Sequence, residues 1–355
     1  MSIVTKSGYK RKSSLPISIG FEGYNSIQNY IIKNILPMQS LCCIYGQSGT
    51  FKSFLAISLG CSIACGKEWS GNKVKQGAIL YIAGEGGTGV PKRIKAWFDY
   101  HNINSSIPLF VINRPVFPLV KEDVDELKLA CLDAENEFGM KVSLIIIDTL
   151  ARCLGSADEN SAKDMGAFIS GCDKLKGDTG ASILIVHHTG KDESRGARGS
   201  SALTASLDCE FFISKDGKNG NNQSLIVECT KMKDMEPPPR KAYALKNIEL
   251  YYDQEQELIS SLTVVDEPYE PRTQQLPNEL KGINNLTKNH VVLFETIKKQ
   301  LNENQICTKN IIKQSLKKQG IKNIDGGYYK WLEKLIKEDV IKISIIDNQS
   351  IELIK

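Results

Sequence analysis

From about residue 38 to residue 250, short apolar runs rich in β-branched residues alternate with segments long enough to form helices. The runs are LCCIY at 41–45, AILYIA at 78–83, LFVIN at 109–113, VSLIIID at 142–148 and SILIVHH at 182–188. Several are apolar throughout, which is typical of strands that helices cover on both faces. The pattern therefore predicts an α/β fold with a mostly parallel central sheet.

After Asp208 the sequence pattern changes. Four apolar runs then follow one another with only turns between them: CEFFISK, QSLIVECTK, KAYALKNIEL and SSLTVVD. No segment between them is long enough for a crossover helix, so neighbouring strands must run in opposite directions. We expect an antiparallel extension of the sheet.

The last quarter of the chain has a different composition. Residues 267–285 are rich in Pro, Asn, Gln and charged residues and read as a linker. Three amphipathic segments and two short β-rich pieces follow, which predicts a small winged-helix-like domain. The expected division is an N-terminal arm at 1–30, a core domain at 31–266, the linker, and the C-terminal domain at 286–355.

Overall composition excludes several classes of protein. Hydrophobic residues make up 41% and charged residues 24%, values of a globular rather than a disordered or fibrous chain. No apolar run approaches the roughly 18 residues that cross a bilayer, so we expect a cytoplasmic protein without a membrane partner. The ten cysteines lack zinc-site spacing and are expected to be reduced and mostly buried.

Net charge is only +4, too near neutral to indicate a polyanion partner by itself. The charge is unevenly distributed, however. Residues 288–355 contain 13 Lys against 8 Asp and Glu, so the basic excess lies in the C-terminal domain.

A segment of eight residues follows the first of the runs and opens a helix-like stretch: Gly46-Gln47-Ser48-Gly49-Thr50-Phe51-Lys52-Ser53. A triphosphate needs closely approaching backbone N–H groups, a helix N-terminus, an ammonium for its β and γ phosphates and a hydroxyl for Mg²⁺. Lys52 and Ser53 supply the last two, so the segment predicts a P-loop for ATP and Mg²⁺. The alternative is a chance strand-turn-helix that carries a lysine. Phe51 replaces the second glycine of the pattern, at a cost of about 1–2 kcal/mol if its φ is positive.

A glycine-rich segment follows the second run, AILYIA. Residues 84–89, GEGGTG, fit the G-x-G-x-x-G fingerprint of dinucleotide sites. That fingerprint belongs after the first strand and requires an acid at the end of the next one, whereas LFVIN ends in Asn113. Glu85 is better interpreted as the base that orients and deprotonates an attacking water. The alternative is a glutamate that caps the following helix.

The fourth run, at 142–148, is apolar except for Ser143 and its terminal Asp148. A carboxylate at the end of a buried strand needs a partner, and beside a P-loop that partner is Mg²⁺ with its water shell. Asp148 is therefore predicted to be the Walker B acid, sharing the metal with Ser53.

Two histidines end the fifth run. Side chains alternate along a strand, so only one of His187 and His188 can face a nucleotide, and we assign His188 as the sensor of its γ-phosphate. The glycine-rich loop that follows carries Lys191, Arg195 and Arg198, which we expect to bind a polyanion in response to the nucleotide state.

Other basic residues fall outside these motifs. Lys231 and Lys233 end a later strand and share a face. They are either a solvated edge or a pair delivered to the nucleotide of a neighbouring subunit. In the C-terminal domain, Lys330 and Lys334 lie on a segment that could place a recognition helix on duplex DNA. The alternative for that domain is protein binding, with its aromatic residues in the core.

Between residues 35 and 250 these motifs, in this order, resemble the RecA-like hexameric ATPases, most closely the RepA-type replicative helicases of plasmids and phages. The resemblance implies Glu85 as general base and His188 as the γ-phosphate sensor coupled to DNA-binding loops. It implies a ring, with Lys231 and Lys233 acting in trans where the family has a Lys-x-Arg pair. It does not extend to the last 70 residues.

The leading interpretation is an ATP-dependent DNA helicase or single-stranded DNA translocase that replicates a mobile element. Its expected partners are single-stranded DNA in the channel of a homohexamer and duplex DNA at the C-terminal domain. One alternative is a regulator or loader that binds both ATP and DNA with little turnover, which Phe51 favours. The other is a RecA-like recombinase, which would form filaments.

Overall fold

The computed structural model describes residues 20–354 except for 22–23, 26–28, 86, 190–200, 217–222, 272–275, 281–282, 284–285, 304–305, 322–323, 345–346 and 348. The strands are β1 (Tyr30–Ile32), β2 (Leu36–Pro37), β3 (Leu41–Gly46), β4 (Ala78–Ala83), β5 (Leu109–Ile112), β6 (Val142–Asp148), β7 (Ser182–His188), β8 (Cys209–Lys215), β9 (Ser224–Met232), β10 (Lys241–Tyr252), β11 (Leu258–Val264), β12 (Ile341–Ile343) and β13 (Ile351–Leu353). The helices are α1 (Lys52–Cys65), α2 (Gly89–His101), α3 (Lys121–Phe138), α4 (Leu150–Cys153), α5 (Ala162–Thr179), α6 (Ser201–Ser206), α7 (Lys288–Asn302), α8 (Lys309–Lys318) and α9 (Ile324–Lys337).

The central sheet has nine strands in the order β11-β10-β9-β8-β3-β7-β6-β4-β5. The six strands from β8 to β5 are parallel. The other three strands are antiparallel to their neighbours. The predicted α/β fold, with a mostly parallel sheet and an antiparallel extension, is confirmed.

Helices cover both faces of the parallel strands, which explains why those strands are apolar throughout. Ile146 packs in a core with Leu59 of α1 and Trp97 of α2. Its neighbour Ile145 points the other way and packs in a second core with Phe168 of α5. Successive strand residues alternate between the two cores, so both sets must be apolar.

Helix α1 runs under the sheet and is buried on almost every side, from Leu55 to Ala64. A helix that is apolar all round can lie only inside a protein. Its N-terminus, at Lys52, is thereby fixed at the carboxyl edge of β3.

The β1–β2 hairpin precedes the P-loop strand, a feature that the sequence analysis did not predict. The loop therefore follows the third strand of the chain rather than the first. Among the described residues, no helix has the length and apolar character needed to cross a membrane. All ten cysteines are described and free, and only Cys65 and Cys229 are half-buried rather than buried.

The C-terminal segment has the predicted three helices followed by the β12–β13 hairpin, around a separate core that includes Phe294, Tyr328 and Leu335. Two residues of the predicted linker, one near each end, pack against the neighbouring structure. Tyr269 bridges to Ala242 in the central sheet. Leu280 is fully buried in the C-terminal core.

Candidate nucleotide-binding site

Four adjacent parallel strands bring the predicted site residues to one edge of the sheet. Gly46, which ends β3, is opposite His188, which ends β7. On the next pair, Ala83 of β4 is opposite Asp148 of β6, and Glu85 follows two residues later. The carboxyl edge of a parallel sheet is where such folds place their ligands.

The backbone of the P-loop approaches the neighbouring strand so closely that a side chain cannot fit. A Cβ built on Gly46 would lie 2.2 Å from the carbonyl oxygen of Ile213 in β8. Gly49 has a φ of +76°, which glycine adopts freely. Phe51 has a φ of +67°, so the predicted backbone penalty of about 1–2 kcal/mol applies.

Lys52 places a buried ammonium inside the loop. Its Nζ donates hydrogen bonds to the carbonyl oxygens of Gly46, at 2.9 Å, and Gln47, at 2.6 Å. Burial lowers the pKa of Lys52 to about 8, and the nearby carboxylates of Asp148 and Glu85 offset part of that effect. Both hydrogen-bond acceptors of this ammonium are neutral carbonyl oxygens, so its positive charge is suited to binding an incoming anion. The loop therefore fits a polyphosphate.

Asp148 is 7% exposed and lies beside the hydroxyl of Ser53. Burial raises the pKa of its carboxyl, against hydrogen bonds from Tyr81 and Ser53 and the charge of Arg93. Among the residues described, no three His, Cys, Asp or Glu side chains form a metal cluster. Mg²⁺ in nucleotide sites is usually held by one or two carboxylates together with substrate phosphates, so the oxygen atoms of Ser53 and Asp148 fit it.

Glu85 lies at the open side of the site. Its Oε1 accepts a hydrogen bond from Thr149 Oγ1 at 3.2 Å and lies 3.9 Å from Nε2 of His188. The residue that caps α2 is Thr88, so the structure gives no support to the capping alternative. An exposed carboxylate oriented by a hydroxyl can hold and deprotonate a water molecule.

The two histidines point in opposite directions, as expected from alternation. His187 is fully buried, whereas His188 is half-buried and faces Glu85. Burial is the largest cause that lowers the pKa of His188, followed by the charge of Lys52. A neutral imidazole at pH 7 can both donate and accept a hydrogen bond, as a phosphate sensor requires.

Sequence reasoning missed three residues of this site. The hydroxyl of Tyr81 donates a hydrogen bond to Asp148, and the hydroxyl of Thr149 donates one to Glu85. Arg93 places its guanidinium 4.6 Å from the ring centroid of Phe54. Only Tyr81 left a sequence signal, because a tyrosine in an otherwise apolar strand needs a partner for its hydroxyl.

Lys231 and Lys233 lie beside the amino end of β8, because β9 runs antiparallel to that strand. This is the side of the sheet opposite the carboxyl ends of the parallel strands. The Lys231 ammonium donates to two backbone carbonyls of α6, at 2.6 and 3.0 Å. The Lys233 ammonium pairs with Asp208 at 3.0 Å. Neither lies at the carboxyl edge that carries the P-loop of its own chain.

The predicted DNA contacts are only partly described. Lys191, Arg195 and Arg198 lie outside the described residues and stay a prediction. On α9, Lys330 is exposed, while Lys334 is half-buried and pairs with Glu338 at 2.6 Å.

The aromatic residues of α9 belong to the segment that could place a recognition helix on DNA. Tyr328, Trp331 and the adjacent Leu332 are buried in the C-terminal core. The core alternative is therefore correct for them, because the helix turns these side chains toward α7 and α8. Tyr329 remains exposed.

Comparison with known protein families identifies a match in the first part of the chain. A family model described as an AAA domain matches residues 12–194, more than half of the chain. The matched range includes the P-loop, Glu85, Asp148 and both histidines, and ends before the antiparallel extension. The chain therefore belongs to the AAA domain family, and its candidate site is that of a P-loop NTPase.

Proposed function

We propose that the protein hydrolyses ATP to move along or unwind DNA, as a helicase or single-stranded DNA translocase in the replication of a mobile element. The observation that carries the hydrolytic part is the convergence of Lys52, Asp148, Glu85 and His188 on one sheet edge. The helicase part rests on the resemblance of the motif order to ring-forming replicative helicases.

Each residue has a defined task in this proposal. Lys52 binds the β and γ phosphates with its ammonium, and Glu85 takes a proton from the attacking water, held in orientation by Thr149. His188 donates a hydrogen bond to the γ-phosphate from the end of β7. Mg²⁺, held through Ser53 and Asp148, would neutralise phosphate charge when bound.

The position of two further lysines supports a ring. Lys231 and Lys233 lie at the edge of the sheet away from the P-loop of their own chain. A neighbouring copy could bring them to a nucleotide, where they would stabilise the charge of the transition state. A homohexamer would place each ATP between two subunits.

The test of the proposed function is the ATPase rate of the purified protein with and without single-stranded DNA. We expect stimulation by DNA, and closed rings in electron micrographs with an ATP analogue. Tight nucleotide binding with negligible turnover in both conditions would instead support the regulator or loader, which the strained Phe51 favours. Open filaments would support the recombinase.

We also propose that the C-terminal helices and hairpin form a winged-helix-like domain that binds duplex DNA. Lys330→Gln is expected to weaken duplex binding about two- to fivefold and to reduce the salt slope of binding by about one, as for loss of one phosphate contact. Fluorescence anisotropy at several salt concentrations measures both.

The matched control is Lys299→Gln, which removes the same charge from α7, at a side chain that is 77% exposed. Equal effects of the two substitutions would show that α9 is not the contacting surface. Unchanged binding in both would support protein binding as the role of this domain.

A further inference from the structure

Lys215, the last residue of β8, lies against the P-loop, and no task has yet been given to it. The close approach of Gly46 to Ile213 fixes the end of this strand beside the loop. The Lys215 ammonium itself lies 4.0 Å from the point where a Cβ on Gly49 would be. A second cation therefore lies over the phosphate-binding loop, in addition to Lys52.

The aromatic ring of Phe51 contacts the Lys215 ammonium. The Lys215 Nζ is 5.4 Å from the ring centroid of Phe51, and the ring of Phe54 packs edge-on against Phe51 at 6.0 Å between centroids. Among the described residues, no carboxylate pairs with Lys215. The residue that departs from the P-loop pattern is thus the one that contacts the additional lysine.

We propose that Lys215 is a second phosphate-binding cation supplied by the same chain, which rests on the Phe51 ring without nucleotide and moves to the phosphate chain when nucleotide binds. This inference rests on the proposed function, because it requires that the loop binds a nucleotide. Contact of an ammonium with the half-buried ring of Phe51 is weaker than a charge-assisted hydrogen bond to a phosphate oxygen. Lysine has a flexible stem and a compact charge, so the ammonium can move between the two.

The test compares the affinities of full-length parent and Lys215→Gln for ATP, ADP and adenosine by calorimetry at millimolar Mg²⁺. We expect Lys215→Gln to weaken ATP binding about tenfold, which corresponds to about 1.4 kcal/mol, and to leave adenosine binding unchanged. Lys215 is exposed, so the substitution is not expected to affect folding.

The matched control is Lys246→Gln. The Lys246 ammonium also lies over an aromatic ring, 5.2 Å from the centroid of Tyr100, but on the outer part of β10. Its substitution should not change ATP affinity. Equal affinity losses in the two variants, or an unchanged ATP affinity in Lys215→Gln, would overturn the inference.

Phe51→Leu separates the cation from the ring. Because the ring competes with phosphate for the ammonium, this variant should bind ATP about two- to fivefold more tightly than the parent. A loss equal to that of Lys215→Gln, extending to adenosine, would show that the ring holds the nucleotide and would overturn the inference.

The failure of this inference and of the proposed function are distinguishable. If the parent binds no ATP at all, the proposed function fails. If the parent binds ATP and Lys52→Met weakens binding about 100-fold while Lys215→Gln does not weaken it, only the role of Lys215 fails.

Discussion

Glu85→Gln is expected to lower the rate of ATP hydrolysis by about 10²–10⁴-fold, the usual contribution of a general base. Glutamine keeps the shape of the side chain and can still accept the hydrogen bond from Thr149. It cannot take a proton from water, so the chemical step should fail while ATP affinity stays within about twofold of the parent value. Single-turnover hydrolysis and calorimetry measure the two quantities separately.

Glu126→Gln is the control for this prediction. Glu126 is exposed on α3 and is not among the residues of the candidate site, and its substitution removes the same charge. Hydrolysis by Glu85→Gln at the rate of the parent would show that another group activates the water. It would remove the main support for the proposed mechanism.

Lys52→Met is expected to have two large effects of opposite sign. Loss of two charge-assisted hydrogen bonds to phosphate, each contributing about 1.5 kcal/mol, should weaken ATP binding about 100-fold. The same change should stabilise the nucleotide-free protein, because it removes a buried charge. The carbonyl oxygens that lose Lys52 keep other donors, from Thr189 to Gly46 and from Thr50 to Gln47.

The pH dependence of the second effect follows from the lowered pKa. Lys52 has a pKa of about 8 in the folded chain against 10.5 when unperturbed. The unfolded chain therefore binds the proton more tightly, and the destabilisation is fully present below about pH 8 and disappears as pH rises to 10.5. The free energy of unfolding of Lys52→Met should exceed that of the parent by on the order of 1–3 kcal/mol at pH 7, and the difference should shrink by pH 10.

Urea denaturation of both proteins at pH 7 and pH 10 measures this difference. Lys176→Met is a suitable control, because Lys176 pairs with Asp173 on the outer surface of α5. A Lys52→Met variant that is less stable than the parent at pH 7 would show that the ammonium stabilises the empty loop.

Local sequence was sufficient to predict the strands and the loop. The five apolar runs became β3 to β7 with boundaries that differ by at most one residue, since continuous apolar β-branched sequence is stable only in a strand covered on both sides. Local sequence also predicted the P-loop. Phosphate binding depends on eight consecutive residues, Gly46 to Ser53, the last two of which begin helix α1.

The sequence did not predict the order of the strands in the sheet, nor which side chains that order brings together. Nothing local shows that β7 lies between β3 and β6, yet this order brings His188 beside Glu85. The Tyr81 hydroxyl meets Asp148 across 67 residues of sequence for the same reason.

The sequence by itself determined the parallel α/β core, the phosphate loop and the acids and histidines at its strand ends, because each depends on neighbours along the chain. The tertiary structure decided which of them meet. It placed Lys215 on Phe51, put Lys231 and Lys233 at the far edge, and buried Tyr328 and Trp331. Those outcomes depend on the direction of β9 and on the packing of distant helices, which are set by the whole core rather than by any local pattern.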